Sequence, residues 1–105
     1  MMRFVLALAA FLAASGTPAS DIEAGKKKAT EVCQACHGPD GNSPSPDFPR
    51  IAGQHADYMV KALRDYKTGA RKDPVMTGFV TPLSTQDIEN LAAYFASQRG
   101  LQQKY

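Results

Sequence analysis

At residues 33–37 the chain reads CQACH, two thiols three positions apart with an imidazole directly after the second. More than any other stretch, this one limits what the chain can become. A C-x-x-C pair serves as a redox dithiol, as half of a zinc site or as the attachment point of a haem, and a histidine immediately following favours the last. On one helical turn the two sulfurs project in nearly the same direction, so both can reach the vinyl groups along one porphyrin edge while His37 points at the iron.

The rest of the chain decides how such a motif is housed. Met1, Met2 and Arg3 form a short basic start, Phe4 to Ala14 is an eleven-residue apolar run, and SGTPA supplies small residues before a cut. These are the three parts of a secretory leader. They predict a signal peptide over 1–19 and one domain over 20–105, exported to the periplasm. A helix needs roughly 20 residues to cross a bilayer core of about 30 Å, so an uncleaved anchor is the weaker alternative and no stable membrane insertion is expected after cleavage.

Removing 19 of 105 residues leaves 105 − 19 = 86, a domain whose core is marginal without a staple. A Cys33–Cys36 disulfide would close a tiny loop and constrain the unfolded chain very little. A buried cofactor tied to both cysteines would do far more. Without Arg3 the basic residues number 12 − 1 = 11 against 10 acidic ones, so the charge is close to neutral and no nucleic-acid partner is implied. Lys26, Lys27 and Lys28 read as a solvated helix face, with a docking patch as the alternative.

The periodicity predicts an all-α domain. One helix is expected from about Asp21 to Cys36, with Ile22, Gly25, Ala29, Val32, Cys33 and Cys36 at steps of three and four, which places both thiols on its inward face. A second starts near His55, carries Tyr58, Met59, Ala62, Leu63 and Tyr66, and stops at Gly69. A third begins at Ser84, a capping residue with Asp87 in the first turn, and runs through Ile88, Leu91, Ala92 and Phe95 to Gly100. Between the first two lies GPDGNSPSPDFPRIAGQ, too rich in glycine and proline for regular structure. Ala70 to Leu83, with Pro74, Met76, Gly78 and Pro82, reads as a second irregular segment. Three short helices on long loops cannot bury enough apolar area by themselves, and a porphyrin supplies the missing core.

The rival uses of the motif fit less well. A thioredoxin-like centre expects a βαβ context that this pattern lacks, and zinc needs four donors where His55 is the one soft or imidazole donor beyond Cys33, Cys36 and His37. Taken together, DIEAGKKKATEVCQACHG, FPRIAGQ, a lone methionine in the second loop and DIENLAAYFASQ make the domain resemble a small bacterial class I cytochrome c, end to end. The resemblance implies a class I cytochrome c fold, three or more short helices and long loops wrapped around one covalent haem c and its iron. It implies that the first and last helices cross, with Gly25 giving the close approach and Tyr94 packing near it or serving as an ordinary core aromatic.

It also bears on the ligands. Met59 reads as a core gap-filler and His55 as a structural residue at a helix start, whereas the family places its methionine ligand in the loop where Met76 stands, 39 residues after His37. The family orients its ligand histidine through a proline carbonyl about a dozen residues on, and Pro49 stands at that position. Ile51 is expected to pack on the haem face. With His37 and Met76 as axial ligands and Cys33 and Cys36 as thioether anchors, the implied role is an electron carrier between redox protein partners rather than an enzyme. The rival roles are a haem subunit of a larger oxidoreductase and a ligand-binding haem protein with an open sixth site. Four-helix gas-binding haem proteins carry the motif near the C-terminus, which argues against the last.

Overall fold

Asn90, a buried polar residue in the last helix, accepts a hydrogen bond at 2.8 Å from the backbone N–H of Asp21, so the two ends of the domain are joined. The computed structural model describes residues 19–100, and the expected leader falls outside them apart from Ala19. Among the described residues there is no strand, and the helices run in the order α1 (Ile22–Val32), α2 (Gln34–His37), α3 (Ala56–Thr68), α4 (Pro74–Val80) and α5 (Thr85–Ser97). α1 crosses α5, α3 packs on α5, and α4 packs on α3.

The crossing of α1 and α5 requires a glycine. A Cβ built on Gly25 would lie 2.0 Å from the Asn90 carbonyl oxygen and 2.9 Å from Tyr94 Cβ, so the two backbones meet with no side chain between them. The helices start where capping chemistry places them. Asp21 Oδ1 accepts from the Ala24 N–H at 3.1 Å, and Ser84 and Asp87 exchange bonds in a capping box at the start of α5. α3 ends at Gly69 in the left-handed region, φ 85°.

Three expectations need correction. The first helix does not run unbroken to Cys36: Cys36 N–H reaches back three residues to the Cys33 carbonyl, at 3.3 Å, and this tightening separates α1 from α2. Ile22 is exposed rather than on the buried stripe. Nor is the segment from Ala70 to Leu83 wholly irregular, since it contains α4. Asp73 Oδ1 accepts from the N–H groups of Val75 and Met76 at 3.0 and 3.2 Å, and Pro74 stands at the first helical position, where its missing N–H would have had no partner anyway.

α5 supplies much of the core. Ile88, Leu91, Ala92, Tyr94 and Phe95 are all buried, joined by Ala29, Met59, Leu63, Val80 and Leu83. Full burial of a side chain such as Leu91 or Phe95 contributes about 1.5–3 kcal/mol. The long first loop is stitched to this core rather than draped over it. Gly41 O accepts from the N–H groups of Ile51 and Ala52, Gly53 N–H donates to Phe95 O at 2.8 Å, and Asn42 Nδ2 donates to Arg99 O.

Tyr94 completes the stitching by donating its hydroxyl to Pro39 O at 2.7 Å. Burial, helped by the nearby charges of Asp40 and Glu23, raises the Tyr94 pKa above its ordinary value of 10.0. The fold therefore favours the neutral phenol: this contribution is complete below about pH 10 and is lost as pH rises through the raised value. Tyr94→Phe is expected to lower stability by about 0.5–1.5 kcal/mol at neutral pH through the lost hydrogen bond. Its urea midpoint should then fall less steeply than that of the unmutated protein between pH 9 and 11. Parallel curves would contradict the assignment.

Candidate functional site

α2 and the first loop together fix one imidazole. His37 closes α2 and is buried, and its Nδ1–H donates to the Pro49 carbonyl at 2.9 Å. That bond selects the tautomer, leaving Nε2 with the lone pair available to a metal. Phe48 makes a T-shaped contact with the ring, centroids 6.4 Å apart at 66°. Phe48 was not singled out from the sequence, although it directly precedes Pro49 in FPRIAGQ.

Cys33, His37, Ile51, Met59, Met76 and Phe79 all line one crevice, whose remaining wall is made by Val32, Leu63, Val80, Leu83, Leu91 and Phe95. The structure thus brings together Cys33, His37, Ile51 and Met76, with Pro49 attached through its hydrogen bond. Cys36 is half-buried but is not among the crevice-lining residues. The break at Cys33 carries it on α2 rather than on α1, so the expected shared inward face of one helix is not what places the two thiols. His55, at the start of α3, also lies outside the crevice. Met59, expected to be a core gap-filler, is both buried in the core and part of the crevice wall.

The chemistry of this wall is one-sided. Burial pushes the Cys33 thiol up to about 11, so it stays protonated at neutral pH, whereas a redox dithiol depends on a lowered pKa. Among the described residues no three His, Cys, Asp or Glu side chains are gathered as a closed zinc site requires. What remains is an apolar crevice offering two kinds of soft or borderline donor, imidazole nitrogen and thioether sulfur, beside a thiol. Those residues fit a flat apolar macrocycle with a central iron, tied at one edge through sulfur.

Because the Pro49 acceptor is a backbone atom, the bond to His37 should survive loss of the ring. Pro49→Ala is expected to keep the His37 Nδ1 hydrogen bond and to cost about 0.4–1 kcal/mol through the looser unfolded chain. The checks are the His37 ring-proton resonance and a urea titration. A shifted or exchange-broadened ring proton would show that the proline ring itself matters.

The family model for cytochrome c matches residues 22–99. Cytochrome c4 of Stutzerimonas stutzeri is 52% identical over 91 residues, covering 78% of this chain and 43% of that protein. Cytochrome c-554(548) of Halomonas halodenitrificans is 40% identical over 83 residues, covering 76% of this chain and 99% of that protein. Among solved structures, reduced recombinant cytochrome c4 from Pseudomonas stutzeri superposes with a TM-score of 0.73 at 51% identity, over 79% of this chain and 48% of that one. The chain spans less than half the length of the cytochrome c4 relatives it matches.

Proposed function

The chain belongs to the cytochrome c family, whose cofactor is haem c with its iron, and from that premise we propose that it is a one-electron carrier holding haem c between His37 and Met76. The single observation that supports this most is the bond from His37 Nδ1 to Pro49 O, which dedicates the other ring nitrogen to the crevice. Cys33 and Cys36 would hold the macrocycle by thioether bonds. Haem c, when bound, supplies a one-electron couple at its iron.

The chain's own residues shape that couple. Pro49 O fixes the ring plane of His37 and raises its basicity. Ile51 and the apolar wall exclude water, which favours the less charged state of the site. Met76 offers a neutral, soft sulfur that favours reduced over oxidised iron. Were His37 and Met76 both to hold the iron of a bound haem c, they would leave no site for a substrate, and the chemistry the group would supply is transfer of one electron.

The basic start, apolar run and small residues of 1–19 support a leader that would carry this function to the periplasm, with residues 20–105 as the monohaem domain. Among the described residues no helix is long and apolar enough to cross a membrane. The partners are redox proteins: a quinol-oxidising complex or a dehydrogenase as donor, and a terminal oxidase or reductase as acceptor. A protein of Thiomonas intermedia named thiosulfate dehydrogenase electron acceptor, 39% identical over 97 residues, supports a dehydrogenase as donor. A second reading, a haem c subunit fixed within a larger oxidoreductase, draws on the greater length of the cytochrome c4 relatives, of which this chain covers less than half.

The test is to isolate the exported protein under mild conditions and measure its intact mass, its reduction potential and its response to carbon monoxide. A mass increased by one haem, a reversible one-electron wave and no rapid carbon monoxide binding support the carrier. Rapid binding by the ferrous protein would replace it with a ligand-binding haem protein. Co-purification with one stoichiometric partner would select the fixed subunit.

A further inference from the structure

α4 is seven residues long, too short to persist on its own, since isolated helices below about 12–15 residues are marginal. Its position must come from contacts, and those contacts converge on the end of α3. The last four carbonyls of a helix have no partner within it. Two of them in α3 are taken by the segment that carries α4: Arg71 N–H donates to Asp65 O at 3.0 Å, and Thr77 Oγ1 donates to Tyr66 O at 2.9 Å. The Arg71 guanidinium lies 4.8 Å from the centre of the Tyr66 ring, and Lys67 Nζ donates to Leu83 O just beyond α4. Outward, α4 leaves Val75 exposed, while Phe79, though exposed in part, lines the mouth of the crevice.

We propose that Thr77 is a positioning residue for its neighbour Met76: its hydroxyl latches α4 onto the free carbonyl of Tyr66, and this latch sets how often α4 lifts away from the crevice. Met76 and Thr77 are consecutive on α4, so the bond that fixes one fixes the approach of the other. The backbone tie at Arg71 and the lysine tie at Leu83 hold the two flanks, which makes α4 a strap anchored at both ends with Thr77 at its middle. A hydroxyl-to-carbonyl bond lost from such a strap should raise the opening equilibrium about two- to twelvefold. That Met76 is the sixth ligand rests on the function proposed above, whereas the latch concerns α3 and α4 alone.

The test uses the haem-loaded protein and three variants. Thr77→Val removes the hydroxyl at nearly constant shape, Thr77→Ser restores it, and Thr30→Val removes the same kind of bond, Thr30 Oγ1 to Lys26 O at 2.9 Å, from the exposed face of α1. Hydrogen exchange is read at the amides of Thr77 and Thr81, which bond to Asp73 O and Thr77 O, against that of Ile88 in α5. In Thr77→Val the α4 amides should exchange about two- to twelvefold faster with Ile88 unchanged, and ferrous carbon monoxide binding should accelerate by the same factor. Thr77→Ser should return both to the unmutated values, and Thr30→Val should move neither. Unchanged α4 exchange in Thr77→Val, or an equal rise at Ile88, would overturn the latch. Faster α4 exchange in a protein that already binds carbon monoxide rapidly and lacks the near-infrared band of methionine-bound ferric iron would uphold the latch and remove Met76 as ligand.

Discussion

Gly25→Ala is expected to unfold much of the domain or to lower its melting temperature by about 12–24 °C, corresponding to a loss of about 3 kcal/mol. The added methyl would sit 2.0 Å from the Asn90 carbonyl oxygen and 2.6 Å from its carbon, and neither backbone atom can rotate away. Overpacking a core usually costs about 1–3 kcal/mol. A contact with rigid backbone on both sides belongs at or beyond the upper end, and the gain of about 1 kcal/mol from alanine's helix propensity is too small to offset it. Gly78→Ala is the matched control, since a Cβ there meets nothing within 4 Å. It should leave the melting temperature unchanged or raise it slightly. Equal melting temperatures for the Gly25 variant and the unmutated protein would mean that α1 and α5 do not meet as closely as described.

The second large effect concerns the sulfur. Met76→Ala should remove the weak near-infrared band of ferric iron bound to methionine, open the site to carbon monoxide, and lower the potential by a sizeable part of the roughly 0.8 V that axial ligands span. Met59 is the informative comparison because it lines the same crevice. Met59→Leu is volume-matched, so it should keep both the band and the core, with a cost of less than about 1.5 kcal/mol. The reverse pattern, the band lost in Met59→Leu and retained in Met76→Ala, would transfer the ligand role from α4 to α3.

Much of this arrangement can be read in the residues. The stripes through Met59 and Leu63 and through Ile88, Leu91 and Phe95 repeat at helical spacing, and α3 and α5 lie where that spacing puts them. α4 was harder because Pro74 and Gly78 read as breakers. Proline breaks a helix through its missing N–H, and at the first position, behind a capping aspartate, that defect has no consequence. The break between α1 and α2 leaves no mark on the spacing of Cys33 and Cys36, because a three-residue turn and a four-residue turn both keep such a pair close. Asn90 was missed for a different reason. In a stripe count a polar residue is assigned to solvent, yet its side chain is buried and accepts from Asp21 N–H and Gln86 Nε2. Gln86 is a local partner, but the bond that ties Asn90 to the start of the domain comes from 69 residues away, and a stripe count does not announce it.

That distance has a consequence for how the chain acquires its shape. α1 buries its inward face on α5, so α1 has no such surface to fold against until α5, far later in the chain, has been made. Closing a loop of this length carries an entropic cost that grows as about (3/2)RT ln n, and it is met before the contacts that reward it. Contacts so distant in sequence raise the contact order, and a higher contact order slows folding. As the chain emerges N-terminus first, the stretch that carries Cys33, Cys36 and His37 is therefore expected to stay accessible until α5 can pack on α1.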